Sequence, residues 1–275
     1  MNFQAELAAR IKANGENREL NSSAKDFMRQ SIAASYSYNF SSLGRPIIQY
    51  PQDIVAMQEL IWQVKPGLIV ETGIAHGGSL VMNASMLALL DYCDAVETGE
   101  TLDPRAPRRR VLGVDIDIRA HNRAAIEAHP MANRIDMIQG SSIAPEVIAQ
   151  VHEIAKGHDR ILVCLDSNHT HDHVLAELEA YAPLTSTGSY CVVFDTVIED
   201  LPLHSYPNRP WDKGNNPKTA VHEYLRCIRV EGRLAAGGSP LEFEIDKSIE
   251  HRLLITVAPD GFLKRVSNKS VASLE

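Results

Sequence analysis

Cysteine is scarce here. The four residues at 93, 164, 191 and 227 are far apart and form no CxxC pair, which speaks against a disulfide-built secreted chain. Cys164 and Cys191 lie inside apolar runs, where cysteine acts as a small core residue. A basic excess is also missing. With 27 Lys and Arg against 35 Asp and Glu, the net charge of −8 excludes general attraction to nucleic acid or an anionic membrane. The arginines at 108–110 then read as a solvated loop. No apolar stretch approaches the ~20 residues a bilayer span needs. The amphipathic, charged N-terminus MNFQAELAARIKANGENREL lacks the apolar centre of a secretion signal. A reduced, cytoplasmic protein without a membrane span is the expectation.

At 275 residues and 44% hydrophobic, the chain can bury a sizeable core. The first ~50 residues read as two short helices and the irregular stretch SYSYNFSSLGRPIIQYP, a helical extension of residues 1–50 before a main domain of 51–275. Ile54, Met57, Ile61 and Val64 recur at helical spacing, and Pro66-Gly67 ends that helix. Short apolar runs follow: LIVE (68–71), VLGVD (111–115), RIDMIQ (134–139), ILVCLD (161–166) and SYCVVFD (189–195). Helical patterns fill the gaps near 78–90, 119–128, 144–156 and 172–182, with 91–110 as an insertion. After a polar loop at 196–217 come a helix near 218–230 and strands near 241–245 and 251–257, then a PDG turn at 259–261. This alternation predicts an α/β fold with a seven-stranded, mainly parallel sheet, helices on both faces and an antiparallel final pair.

Ligands of such sheets bind at the carboxyl ends of the strands. Four strands end there in an acid: Glu71, Asp115, Asp166 and Asp195. Between the first strand and its helix lies ETGIAHGGS (71–79), whose Gly73, Gly77 and Gly78 let a ligand approach backbone N–H donors. A P-loop is excluded because Ser79 stands where its lysine should be, and GxGxxG is absent because position 75 is alanine. The loop of class I S-adenosylmethionine-dependent methyltransferases fits better. There Glu71 would meet a cationic ligand rather than a pyrophosphate, and Asp115 would accept from ribose hydroxyls. The expected cofactor-binding set is Glu71, Gly73, Gly77, Gly78, Ser79, Asp115 and Ser141.

The decapeptide LDSNHTHDHV (165–174) holds an aspartate and three histidines. It is one residue short of the HxHxDH zinc motif, since Asp172 directly follows His171, and no histidine precedes an aspartate by two. Asp166 and His169 sit three apart on the loop leaving the fourth strand. Histidine titrates near neutrality, which suits a general base. His171 reads equally as base or helix cap, and His173 as packing beside Val174 and Leu175.

LIVETGIAHGGSL, ILVCLDSNHTHDHVLAELEAYAPL, GSYCVVFDT, RPWDKGNNPKTAVHEYL and HRLLITVAPDGFLKR together resemble the cephalosporin hydroxylase family, from about residue 37 to 266. That family includes rhamnosyl O-methyltransferases. The resemblance implies a class I (Rossmann-like) methyltransferase domain with an N-terminal helical extension near the acceptor site. It implies methyl transfer from S-adenosyl-L-methionine to a hydroxyl of a sugar-like or natural-product acceptor, with His169 as base. It also implies Mg²⁺ held by Asp166 and by a Glu-Asp pair ending strand five; here that pair is Phe194-Asp195. Two carboxylates hold the ion less tightly than three, and Asn168 or an acid of the 196–217 loop is the expected source of another oxygen.

The loop RPWDKGNNPKT (209–219) is expected over the acceptor, with Trp211 as a stacking face and Arg209, Lys213 and Asn215 beside it. A nicotinamide-dependent oxidoreductase and a catalytically impaired ligand-binding member stay open as alternatives. A homo-oligomer built through the N-terminal extension is compatible with the pattern.

Overall fold

The computed structural model describes residues 2–235, 238 and 240–267. Two helices lead: α1 (Phe3–Glu16) and α2 (Arg18–Ala33) meet at Asn17, whose side chain caps α2 by accepting from Leu20 N. The irregular stretch contains a hairpin that the sequence did not announce, β1 (Phe40–Ser42) with β2 (Arg45–Ile47). Then come α3 (Pro51–Val64), β3 (Leu68–Thr72), α4 (Gly78–Thr98), β4 (Arg110–Asp115), α5 (Ala120–Glu127), β5 (Ile135–Gln139), α6 (Pro145–Ala155), β6 (Ile161–Leu165), α7 (His171–Tyr181) and β7 (Tyr190–Val193). The chain ends in α8 (Pro217–Glu231), β8 (Glu242–Ile245), α9 (Lys247–Leu253) and β9 (Phe262–Val266).

The main sheet has the order β5-β4-β3-β6-β7-β9-β8. All neighbours are parallel except β9, which runs against both β7 and β8. Every residue of β3, β6 and β7 is buried, as expected when helices cover both faces. The period of two sorts the side chains into two cores. Ile69, Val111, Leu162, Cys164 and Val192 face α3 and α4. Leu68, Val70, Val163, Leu165 and Val193 face α6, α7 and α8.

The expected strand at 251–257 is corrected: residues up to Leu253 belong to α9, and the strand is β9. Asp246 caps α9 by accepting from Ser248 N, and the PDG turn leads into β9 rather than out of a strand. The expected helix at 78–90 continues to Thr98 and absorbs part of the supposed insertion. Among the described residues α4 alone is long and apolar enough, by length and composition, to cross a membrane. In this fold it packs on α3, β4 and the β1–β2 hairpin.

The hairpin fixes the extension to the domain. A Cβ at Gly78 would lie 2.2 Å from the Pro46 carbonyl oxygen, so only glycine lets β2 sit on the start of α4. Tyr50, buried to 1% exposure, hydrogen-bonds Ser31 of α2 at 2.7 Å. The segment between β2 and α3 is thereby held from both sides.

Candidate active site

The carboxyl ends of β3, β6 and β7 open into a cleft of about 720 Å³; Asp115, at the end of β4, does not line it. Its floor is the glycine loop, and its walls come from the N-terminal extension and the segment after β7. Gly73 and Gly77 hold φ of +89° and +80°, conformations that cost other residues free energy. Gly73 also touches the neighbouring strand: a Cβ there would lie 2.0 Å from the Asp166 carbonyl oxygen.

Two acids grip this loop from opposite ends. Asp115 Oδ2 accepts from the N–H groups of Ile74 (2.8 Å) and Ala75 (3.2 Å). Glu71 accepts from Ser79 Oγ and from Asn83 Nδ2, the latter at 2.8 Å. Burial pushes the Glu71 carboxyl up to about 7, while its two hydrogen bonds work the other way. Gly73, Gly78 and Ser79 line the cleft; Glu71 lies behind them in a small adjoining cavity with Gln49, Asp53, Phe194 and Asp166. Ser141 is half-buried after β5 and does not line the cleft, while Ser142 beside it turns inward to His173 at 3.1 Å.

In the same cleft one ligand atom each from Asp166, His169 and Asp195 lie within 4.8 Å of one another. His169 Nε2 is 3.3 Å from Asp195 Oδ2. Asp195 takes a left-handed φ of 55°, an uncommon conformation for a non-glycine residue. Burial, then the nearby Asp195 charge, hold the Asp166 carboxyl well above the usual carboxylate range. A cation would relieve that repulsion. Two carboxylate oxygens suit a hard divalent ion, so Asp166 and Asp195 fit the Mg²⁺ that the resemblance implies, with His169 as their neighbour.

The expected sources of another oxygen are spent elsewhere. Asn168 Oδ1 accepts from the N–H and hydroxyl of Thr170. Glu199 accepts from Gly214 N and Asn216 Nδ2, Asp200 pairs with Lys218, and Asp212 accepts from the N–H groups of His204 and Lys213. Phe194 is buried in the core beside Asp166 and offers no donor. Sequence reasoning missed Gln49, whose Nε2 donates to Asp166 Oδ2 at 3.1 Å. No local pattern marks it, because the contact spans 117 positions.

The remaining histidines diverge. His171 is the first residue of α7, not its cap, and ties that helix to the next: its N–H donates to Asn215 Oδ1, and Nδ1 lies 2.8 Å from Thr219 Oγ1 of α8. His173, read from sequence as packing, joins a buried polar network with Ser142, Ser167 and Glu177. The loop after β7 does fold onto the site. Trp211 meets His169 edge-on at 4.7 Å, and Arg209 lies over the Trp211 ring at 5.1 Å. Trp211 and Arg209 line the cleft; Lys213 and Asn215 do not.

A seven-stranded sheet with one reversed strand, a glycine loop after its central strand and acids at its carboxyl edge define a class I methyltransferase. The chain belongs to the family described as Rhamnosyl O-methyltransferase/CmcI, whose model matches residues 34–266. It is 28% identical to the rhamnosyl O-methyltransferase of Mycobacterium tuberculosis (strain ATCC 25618 / H37Rv) over 218 residues, 78% of this chain and 73% of the relative. It is 27% identical to that of Mycobacterium leprae (strain TN) over 226 residues, 81% of this chain and 82% of the relative. The solved CmcI apo-structure matches 84% of this chain and 78% of its own with a TM-score of 0.52 at 19% identity. These findings do not favour the nicotinamide alternative.

Proposed function

We propose that this O-methyltransferase uses S-adenosyl-L-methionine, assisted by Mg²⁺, to methylate a hydroxyl of a sugar-like or natural-product acceptor. The observation that carries the reading is the Asp166, His169 and Asp195 cluster facing the same cleft as the glycine loop. Family membership and the relatives named rhamnosyl O-methyltransferase support the acceptor class. Solved CmcI structures described with Mg and S-adenosylmethionine, or with S-adenosylhomocysteine, support the two cofactors.

When bound, the cofactor supplies an electrophilic methyl group on a positive sulfonium, and a metal at Asp166 and Asp195 lowers the pKa of a nearby hydroxyl. The chain positions the partners and removes the proton. Ser79 and the glycine loop receive the cofactor, with Asp115 and Glu71 holding the two ends of that loop. His169, whose Nε2 lies 3.3 Å from Asp195 Oδ2, takes the acceptor proton. Trp211 supplies an apolar wall for the sugar ring, and the loop 209–219 helps exclude water.

The test is methyl transfer from S-adenosylmethionine to a panel of hydroxylated sugars, with Mg²⁺ and with chelator, beside calorimetric titration of S-adenosylhomocysteine. Transfer that falls on chelation supports the reading. Failure to bind S-adenosylhomocysteine overturns it.

A further inference from the structure

We infer that Gln49, delivered by the N-terminal extension, is a further ligand of the metal site. The inference rests on the reading that Asp166 and Asp195 hold a divalent cation.

Gln49 is 8% exposed, faces both the cleft and the small cavity behind it, and points its amide at Asp166. Its Nε2 sits 3.1 Å from Asp166 Oδ2, while Oε1 is buried without a hydrogen-bond partner. Among the described residues no hydrogen-bond partner holds that oxygen. The two ends of a terminal amide exchange by a half-turn, and their assignment is inferred rather than seen.

With the oxygen toward Asp166, the two oxygens would keep the same separation. Two oxygens bound side by side on an octahedral ion at ~2.1 Å are ~3.0 Å apart, so the spacing matches shared coordination. An amide oxygen is also an accepted donor for hard cations. The position is rigid: Ile47 two residues before is 2% exposed against Gly78, and Tyr50 is anchored to Ser31.

Phe194 lines the small cavity with Asp166 and offers no donor, and the acids of the 196–217 loop are engaged elsewhere. A neutral amide adds a donor without adding a third negative charge to an already repelling pair.

The experiment titrates Mn²⁺ into the full chain without cofactor, followed by electron paramagnetic resonance and calorimetry, for wild type, Gln49→Leu and Gln49→Glu. Thermal melts confirm folding, and Gln49→Met replaces the leucine variant if that one does not fold. The expected result is about a tenfold weaker Mn²⁺ affinity for Gln49→Leu, and wild-type or tighter affinity for Gln49→Glu. Unchanged affinity in Gln49→Leu with normal binding by wild type overturns the role of Gln49 alone. No Mn²⁺ binding by wild type overturns the metal reading itself, and the assignment of Gln49 with it.

Discussion

His169 Nε2 lies 3.3 Å from Asp195 Oδ2, joining the loop after β6 to the turn after β7 across the cleft. A carboxylate at that distance fixes the orientation of the ring, as a positioned general base requires. His169→Ala should therefore lower kcat by roughly 10²–10⁴-fold, the usual range for losing a general base. Affinity for S-adenosylhomocysteine should stay within about twofold. Near-wild-type turnover in single-substrate kinetics would remove His169 as the base.

Asp115 holds Ile74 N and Ala75 N of the glycine loop, and the proposed site gives it the cofactor's ribose as well. Asp115→Ala should weaken S-adenosylhomocysteine binding at least tenfold, about 1.4 kcal/mol. Calorimetry checks this, and an unchanged dissociation constant would refute the assignment.

Gly73 has no room for a methyl group and holds φ of +89°. Gly73→Ala should destabilise the fold by about 2–4 kcal/mol, combining backbone strain with overpacking. Urea denaturation measures the loss, and a midpoint equal to wild type would show that the loop is not so constrained.

Asp53 is fully buried, accepts from Thr256 Oγ1 and from Val257 N at 3.0 Å, and is pushed up to about 7, chiefly by burial. Between its ordinary value near 3.8 and about 7 the folded state holds a proton that the unfolded state has lost. Stability should then fall as pH rises through that window, with a limit on the order of 2–4 kcal/mol. Glu71 acts with the same sign. In cofactor-free protein, melts from pH 5 to 8 should show the decline, and Asp53→Asn should flatten part of it. A decline of undiminished slope in Asp53→Asn would shift the effect to another group.

Trp211 packs edge-on against His169 and carries Arg209 over its ring. Trp211→Ala should raise the acceptor KM about tenfold while leaving cofactor affinity unchanged, as expected for lost stacking on an apolar sugar face. An unaltered KM would place the loop outside the acceptor site.

Strand alternation, the glycine loop and the four strand-end acids were legible because their signals are local: a period of two, a positive φ, a carboxylate at a known edge. The last strand was misplaced because HRLLITV is apolar enough for either element, and the cap at Asp246 was overlooked. Gln49, Asp53 and the His173 network left no pattern in the chain. Their partners are distant in sequence, Asp53 meeting Val257 across 204 positions.

By itself the sequence determined the sheet, the loop at its carboxyl edge and the residues able to do chemistry there. Backbone preference and hydrophobic periodicity act over a few neighbouring residues, so they can be read in order along the chain. Only the tertiary structure decided which carboxylates share one cleft, which polar groups are already spent on neighbours, and that the segment after β2 reaches Asp166. Those outcomes depend on burial and on contacts closed over long loops, where distance in space is not encoded by distance in sequence.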